Sequence, residues 1–207
     1  MKRVKLWIIS SLIVAMAVFG CERDTDDAEP APQEKPAPEA AVDDEEEAAE
    51  KAVDPQDDPR RQVADEADQK LRQTLMGRVM GVAQQEGFAA AVDVCHDEAI
   101  PLTEEVGEEF GVEIGRVADR LRNPDNVGHD WVWEMIEEAD GQAHYAANDQ
   151  FRAVKPIPLA EGCLNCHGQQ DELAEGVAEL LAERYPDDEA TGYEVGDLRG
   201  WVWVEVP

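Results

Sequence analysis

The sequence predicts an α+β domain, with helices packed around a small antiparallel sheet. Two kinds of stretch carry this reading. Some repeat apolar residues at three- and four-residue steps, as amphipathic helices do. Others are short, β-prone and bounded by turn residues, as strands are. Their order is helix, helix, strand, helix, two strands, helix, strand, a mixture that fits an antiparallel sheet with flanking helices.

A long helix opens the domain at Arg60, where Ala64, Ala67, Leu71, Leu75, Val79 and Val82 recur with helical spacing until Gly87 breaks it. A second helix is expected over 88–110, with a kink or break near Pro101. Residues 111–121 read as a strand, with Val112, Ile114 and Arg116 on one face and Val117 and Leu121 on the other. Arg122-Asn123-Pro124-Asp125-Asn126 is turn chemistry. A helix over 129–139 carries Trp131, Met135 and Ile136, and a hairpin follows over 143–157, turning at Asn148-Asp149. A helix over 173–184 and a strand over 200–206, holding Trp201 and Trp203, close the chain.

Two segments precede this domain. Residues 1–21 have the build of an export signal: Lys2, Arg3 and Lys5, then an apolar run too short to span a bilayer comfortably, ending Val18-Phe19-Gly20-Cys21. That ending resembles a bacterial lipobox, with Cys21 the lipidated residue at the cleavage point. Residues 22–59 hold six prolines and 16 acidic against 3 basic residues, the composition of a disordered tether. The expected organisation is thus signal 1–21, tether 22–59 and folded domain 60–207. The expected location is the bacterial cell envelope, facing the periplasm or surface, with Glu22 after the cysteine favouring the outer membrane. Lipid would be the only membrane contact.

Composition narrows the partners. The chain has 207 residues, 43% of them hydrophobic, enough for one core. With 48 acidic and 18 basic residues its formal charge is −30, which argues against nucleic acid, since phosphate binding needs a basic surface.

One motif carries chemistry. Gly162-Cys163-Leu164-Asn165-Cys166-His167-Gly168 contains C-x-x-C-H. Two cysteines on one helical turn can each form a thioether to a haem vinyl group, and the adjacent histidine can bind the iron. Covalent haem c also suits an exported chain. A thioredoxin-like pair would want a βαβ setting, and structural zinc would want a second ligand pair at short spacing; neither is evident. A disulfide across two residues is the remaining, uncommon alternative.

The iron's other axial position has several candidates: Cys95, His96, His129, His144, Met76, Met80 and Met135. With Cys21 assigned to lipid and Cys163 and Cys166 to thioethers, Cys95 is left over. It follows an apolar, small-residue run that could lie against a porphyrin, or it could be a small buried hydrophobe. Spacing alone leaves both open. Arg116, Arg120 and Arg122 share one parity on the expected strand, making them candidate partners for haem propionates; ion pairs with surface carboxylates are the alternative.

Several motifs together resemble the c-type haem domain family with a PAS-like fold. They are Ala91-Val92-Asp93-Val94-Cys95, Arg116, Arg122-Asn123-Pro124-Asp125-Asn126 and Lys155-Pro156-Ile157. The Cys163–Gly168 motif, Tyr185-Pro186, Gly192-Tyr193 and Gly196-Asp197-Leu198-Arg199-Gly200 follow in the family order. The resemblance covers 62–206 and implies a PAS-like antiparallel sheet with flanking helices, preceded by a long N-terminal helix. It implies one covalent haem c with His167 and Cys95 as axial ligands. The expected function is then one-electron transfer or redox sensing with a separate, unidentified redox partner protein. The alternative is a gas sensor for nitric oxide or carbon monoxide that acts through such a partner. With both axial positions taken, no enzymatic activity is expected.

Overall fold

The computed structural model describes residues 54–207, which lie in one compact unit. The export signal, Cys21 and the tether up to residue 53 lie outside the described residues. Among those described, no helix is long and apolar enough to cross a membrane.

The fold begins slightly earlier than the sequence pattern implied. Asp58, assigned to the tether, is buried, and its carboxylate takes the Arg60 guanidinium at 2.8 Å. Arg60 also donates to the carbonyls of Asn148 and Asp149, both at 3.0 Å, joining the domain's start to its hairpin turn.

Helix α1 (Arg60–Glu86) ends at Gly87, whose φ of 94° is a conformation L side chains rarely adopt. The expected second helix is divided. It runs as α2 (Phe88–Asp93), a π-helical turn (Val94–Glu98) and α3 (Ala99–Phe110). Pro101 accounts for the widened turn: it has no N–H for the Asp97 carbonyl and its ring crowds that carbonyl. The preceding turn therefore opens rather than closing a normal helical bond.

Strand β1 (Glu113–Val117) stops sooner than expected. Helix α4 (Asp130–Ala139) and the hairpin β2 (His144–Ala147), β3 (Phe151–Pro158) follow the sequence pattern closely. A 3-10 turn (Glu161–Cys163) leads into the short α5 (Leu164–His167). Helix α6 (Val177–Arg184) begins later than periodicity suggested, because Gly176 takes φ 78° just before it. Strand β4 (Leu198–Val206) ends the domain.

The four strands form one antiparallel sheet in the order β1-β4-β3-β2. Alternation along β4 sends Val202, Val204 and Val206 to one face, where they meet Phe151, Ala153, Ala64, Ala67, Leu71 and Val106. Trp201 and Trp203 point to the other face and pack with Val132, Met135 and Ala139 of α4. Each fully buried side chain of this kind contributes roughly 1.5–3 kcal/mol. Gly115 is needed beneath Trp203, because a Cβ there would come within 2.5 Å of the indole.

The sheet is open at one end. Strand β2 pairs only with Phe151–Val154, so Lys155–Pro158 of β3 has β4 as its one strand neighbour. Pro156 and Pro158 are tolerated there because that edge needs no further donors. On the opposite side, Ile157 pairs with Gly200 and Pro158 with Leu198, leaving Arg199 as the extra residue of a β-bulge.

Candidate functional site: a chamber at the open end of the sheet

The open end of the sheet leads into a cavity of about 410 Å³. Its walls are mainly apolar: Leu71, Leu75 and Val79 from α1, Ala91 and Val92 from α2, and Val117, Ile157 and Val202 from the strands. Cys95, Cys163, Cys166 and His167 all line it.

The C-x-x-C-H segment enters from the 3-10 turn and α5. Local bonds fix it: Cys163 N donates to Ala160 O at 2.9 Å, Gly168 N to Leu164 O at 2.9 Å, and Asn165 Nδ2 to Gly162 O at 2.9 Å. Gly168 lies so close to the turn that a Cβ would come within 2.7 Å of the Leu164 carbonyl. Cys163, Cys166 and Cys95 are free thiols. Burial pushes Cys166 up to about 11. Among the described residues, no three His, Cys, Asp or Glu side chains form a cluster able to hold a metal ion.

His167 is oriented by its backbone surroundings. Its Nδ1 lies 2.7 Å from the Ala190 carbonyl and so carries the proton, leaving Nε2 with a free lone pair. Burial, reinforced by Arg122 and Arg199, lowers its pKa to about 3, so the imidazole is neutral at neutral pH. A neutral ring with Nδ1–H held by a carbonyl is prepared for a metal at Nε2.

Ala190 O is itself held. Arg122 Nη2 donates to it at 3.1 Å and to Cys166 O at 2.7 Å, while the guanidinium meets Asp188 at 3.0 and 3.1 Å. Asp188 also accepts from Ala190 N at 2.9 Å. Arg122 thus ties the attachment segment to the 188–190 loop that orients His167.

Cys95 sits in the π-helical turn upstream of Pro101, so the proline's effect on the backbone sets the sulfur's place in the wall. Burial pushes its thiol up, against the pull of Arg116, Arg122 and Arg199. Met76 and Met80 of α1 also line the cavity. The other axial candidates lie elsewhere. His96 is exposed beside Asp97, His129 reaches Glu113 at 3.4 Å, His144 reaches Glu138 at 3.2 Å, and Met135 is core beneath the opposite sheet face.

The three sequence-selected arginines separate. Their shared parity has no meaning past Val117, where β1 ends. Arg116 and Arg122 line the cavity; Arg120 does not. Arg120 donates to the carbonyls of Glu189 and Thr191 and lies 4.1 Å over the Tyr193 ring. Tyr193 in turn meets the His167 ring edge-on at 6.3 Å. The bulge brings in Arg199, which sequence reasoning did not single out. Its signal was its place in the Gly196–Gly200 motif, as a basic residue in so acidic a chain. Among the described residues, Arg116, Arg120 and Arg199 are the basic side chains without a carboxylate ion pair.

Fold and chamber together define a class: an α+β domain whose antiparallel sheet ends at an apolar pocket with three cysteines and a prepared imidazole on its wall. The chain belongs to the Tll0287-like family, whose model matches residues 37–207. It is similar in fold to the crystal structure of the cyanobacterial heme-protein Tll0287. The TM-score is 0.51 and the identity 23%, over 72% of this chain and 96% of that one. No curated protein matches it.

Proposed function

We propose that this chain is an exported, single-haem c-type cytochrome that carries one electron at the cell envelope. The observation that carries the reading is the convergence of Cys95 with Cys163, Cys166 and His167 on one apolar cavity, although Cys95 lies far from them in sequence. The similar fold of a cyanobacterial heme-protein supports it.

The residues suit the group. Apolar walls accept a porphyrin's faces. Unpaired cations, Arg116 and Arg199, line the same cavity and can receive carboxylates such as propionates. His167 offers a neutral Nε2. Cys163 and Cys166 would hold haem covalently, and His167 and Cys95 would bind its iron. When bound, the iron supplies a one-electron ferric/ferrous couple. The protein's part is to exclude water, hold the imidazole through Ala190 and Arg122, and balance the thiolate with nearby guanidinium charge. We read the sheet and its helices as PAS-like, and Cys21 as the lipid anchor of a periplasmic or surface-facing protein. An electron carrier closed on both axial sides is not an enzyme, and it meets a separate redox partner.

The test is mass spectrometry with an alkaline pyridine spectrum of the protein expressed with a c-type maturation system. One haem per chain, resistant to acid-acetone extraction, is expected. Extractable haem, or none, overturns the proposal.

A further inference from the structure

Two polar atoms of the chamber residues are without a hydrogen-bond partner among the described residues: Arg116 Nε and the Tyr185 hydroxyl, both buried. Each such atom costs roughly 1–3 kcal/mol, so a native fold rarely keeps two in one cavity unless something there accepts from them. Both residues line the cavity that Cys95 also lines. Tyr185 packs with Val92 of α2, just before the turn that holds Cys95, and its ring meets His96 edge-on at 5.3 Å. Arg116 and Tyr185 feel Cys95 as their foremost charged neighbour, and Arg116 is the first cation that Cys95 feels. Arg122 and Arg199 act on both Cys95 and His167, whereas Arg116 acts on Cys95 and Arg120 on His167.

We propose that Arg116 Nε and the Tyr185 hydroxyl form a donor pair for the Cys95 sulfur when it is an iron-bound thiolate. Both are positioning residues that set how much electron density the sulfur gives the iron. This rests on Cys95 being an axial ligand, the reading given above. Arg116 is then assigned to the thiolate rather than to a propionate, which falls to Arg199 on the cavity wall. A donated hydrogen bond draws charge from sulfur, weakens its push on ferric iron and raises the reduction potential.

The test compares the haem-loaded protein with Arg116→Gln, Arg116→Lys, Tyr185→Phe and Cys95→Ala, by midpoint potential and the thiolate-to-ferric charge-transfer band. Tyr185→Phe keeps the packing and removes one oxygen. It should shift the potential to a more negative value and move the band while the thiolate stays bound. Arg116→Gln should do the same more strongly, with partial recovery in Arg116→Lys. Unchanged potential and band in both Tyr185→Phe and Arg116→Gln would overturn the inference. A shift in Arg116→Gln with Tyr185→Phe silent returns Arg116 to a propionate and overturns the pairing. If Cys95→Ala leaves the ferric spectrum as it was, Cys95 is not a ligand and the inference falls with that reading. If Cys95→Ala alters the spectrum but the donor variants do not, the inference alone fails.

Discussion

Two regions of the same domain treat charge in opposite ways. Between α1 and the hairpin, ionic groups satisfy one another. Lys155 reaches Asp65 at 2.5 Å and Asp68 at 3.5 Å, Arg72 takes Asp68 at 2.7 Å, and the Tyr145 hydroxyl meets Asp65 at 3.2 Å. At the chamber, Arg116 and Arg199 have no carboxylate partner among the described residues, although acidic residues outnumber basic ones 48 to 18 across the chain. In such a chain an unpaired cation on a cavity wall is the harder arrangement to reach. The first region completes a fold, while the second is complete only around something that brings acceptors of its own.

The largest effect should come from emptying the chamber. Cys163→Ser with Cys166→Ser should abolish covalent haem, leaving none after acid extraction, while the circular dichroism of the sheet and helices persists. If covalent haem remained, the contrast between the regions would need another explanation.

Arg122 sharpens the contrast because it belongs to the chamber yet is paired. Its guanidinium and the Asp188 carboxylate are both nearly inaccessible, with side chains 6% and 8% exposed. Arg122→Met leaves Asp188 charged and buried, a loss of about 3–5 kcal/mol that denaturant unfolding would read. It also frees the Cys166 and Ala190 carbonyls, so His167 should lose its fixed orientation. A loss under about 1 kcal/mol would show that the clamp is not structural.

Acid should act on the same place. The His167 value near 3 in the fold lies below its ordinary 6.5, so between those limits the unfolded chain binds a proton that the folded chain does not. Stability is therefore fully present above about 6.5 and is lost as pH falls toward 3. The haem-free double serine variant should show this slope, and adding His167→Gln should flatten it.

Much of this was legible in the sequence, for reasons that differ by residue. The attachment motif is local, so its chemistry can be read from a few adjacent residues. The hairpin around Asn148-Asp149 and the alternation of β4 follow from turn chemistry and a period of two. Pro101 announced a break but not that the turn would widen at Cys95, since a proline removes a bond without saying how the backbone recovers. Arg120 and Arg122 were grouped on a parity that holds only while the strand lasts, and β1 ends at Val117. Arg199 depends on a bulge set by pairing with residues some forty positions earlier, and no local pattern records that. Arg122's partners, Cys166, Asp188 and Ala190, are equally remote.

The ion-paired region between α1 and the hairpin offers the reverse test. Lys155→Met should cost about 1–3 kcal/mol, because Asp65 and Asp68 lose a cation but Arg72 still serves Asp68. The haem spectrum and potential should not move. A shifted potential would mean that the two regions are coupled through α1, whose Leu71 and Leu75 reach the chamber.

The smallest effect belongs to an ion pair that looks better placed than it is. Arg78 of α1 holds Glu98 at 2.6 and 2.7 Å, and Glu98 ends the π-helical turn that carries Cys95. Geometry alone would make this pair the latch of the ligand segment. Exposure argues otherwise: the two side chains are 49% and 38% accessible, and water and salt screen such a pair almost completely. What secures the segment is apolar, with Val94 and Ala91 packed against Val82 of α1. Arg78→Ala should leave the melting temperature and the thiolate band unchanged within error at physiological salt. Val82→Ala should lower the first and broaden the second. If Arg78→Ala instead disturbed the band, paired charge would be holding the ligand segment as it joins α1 to the hairpin, and the distinction between the two regions would not extend to Cys95.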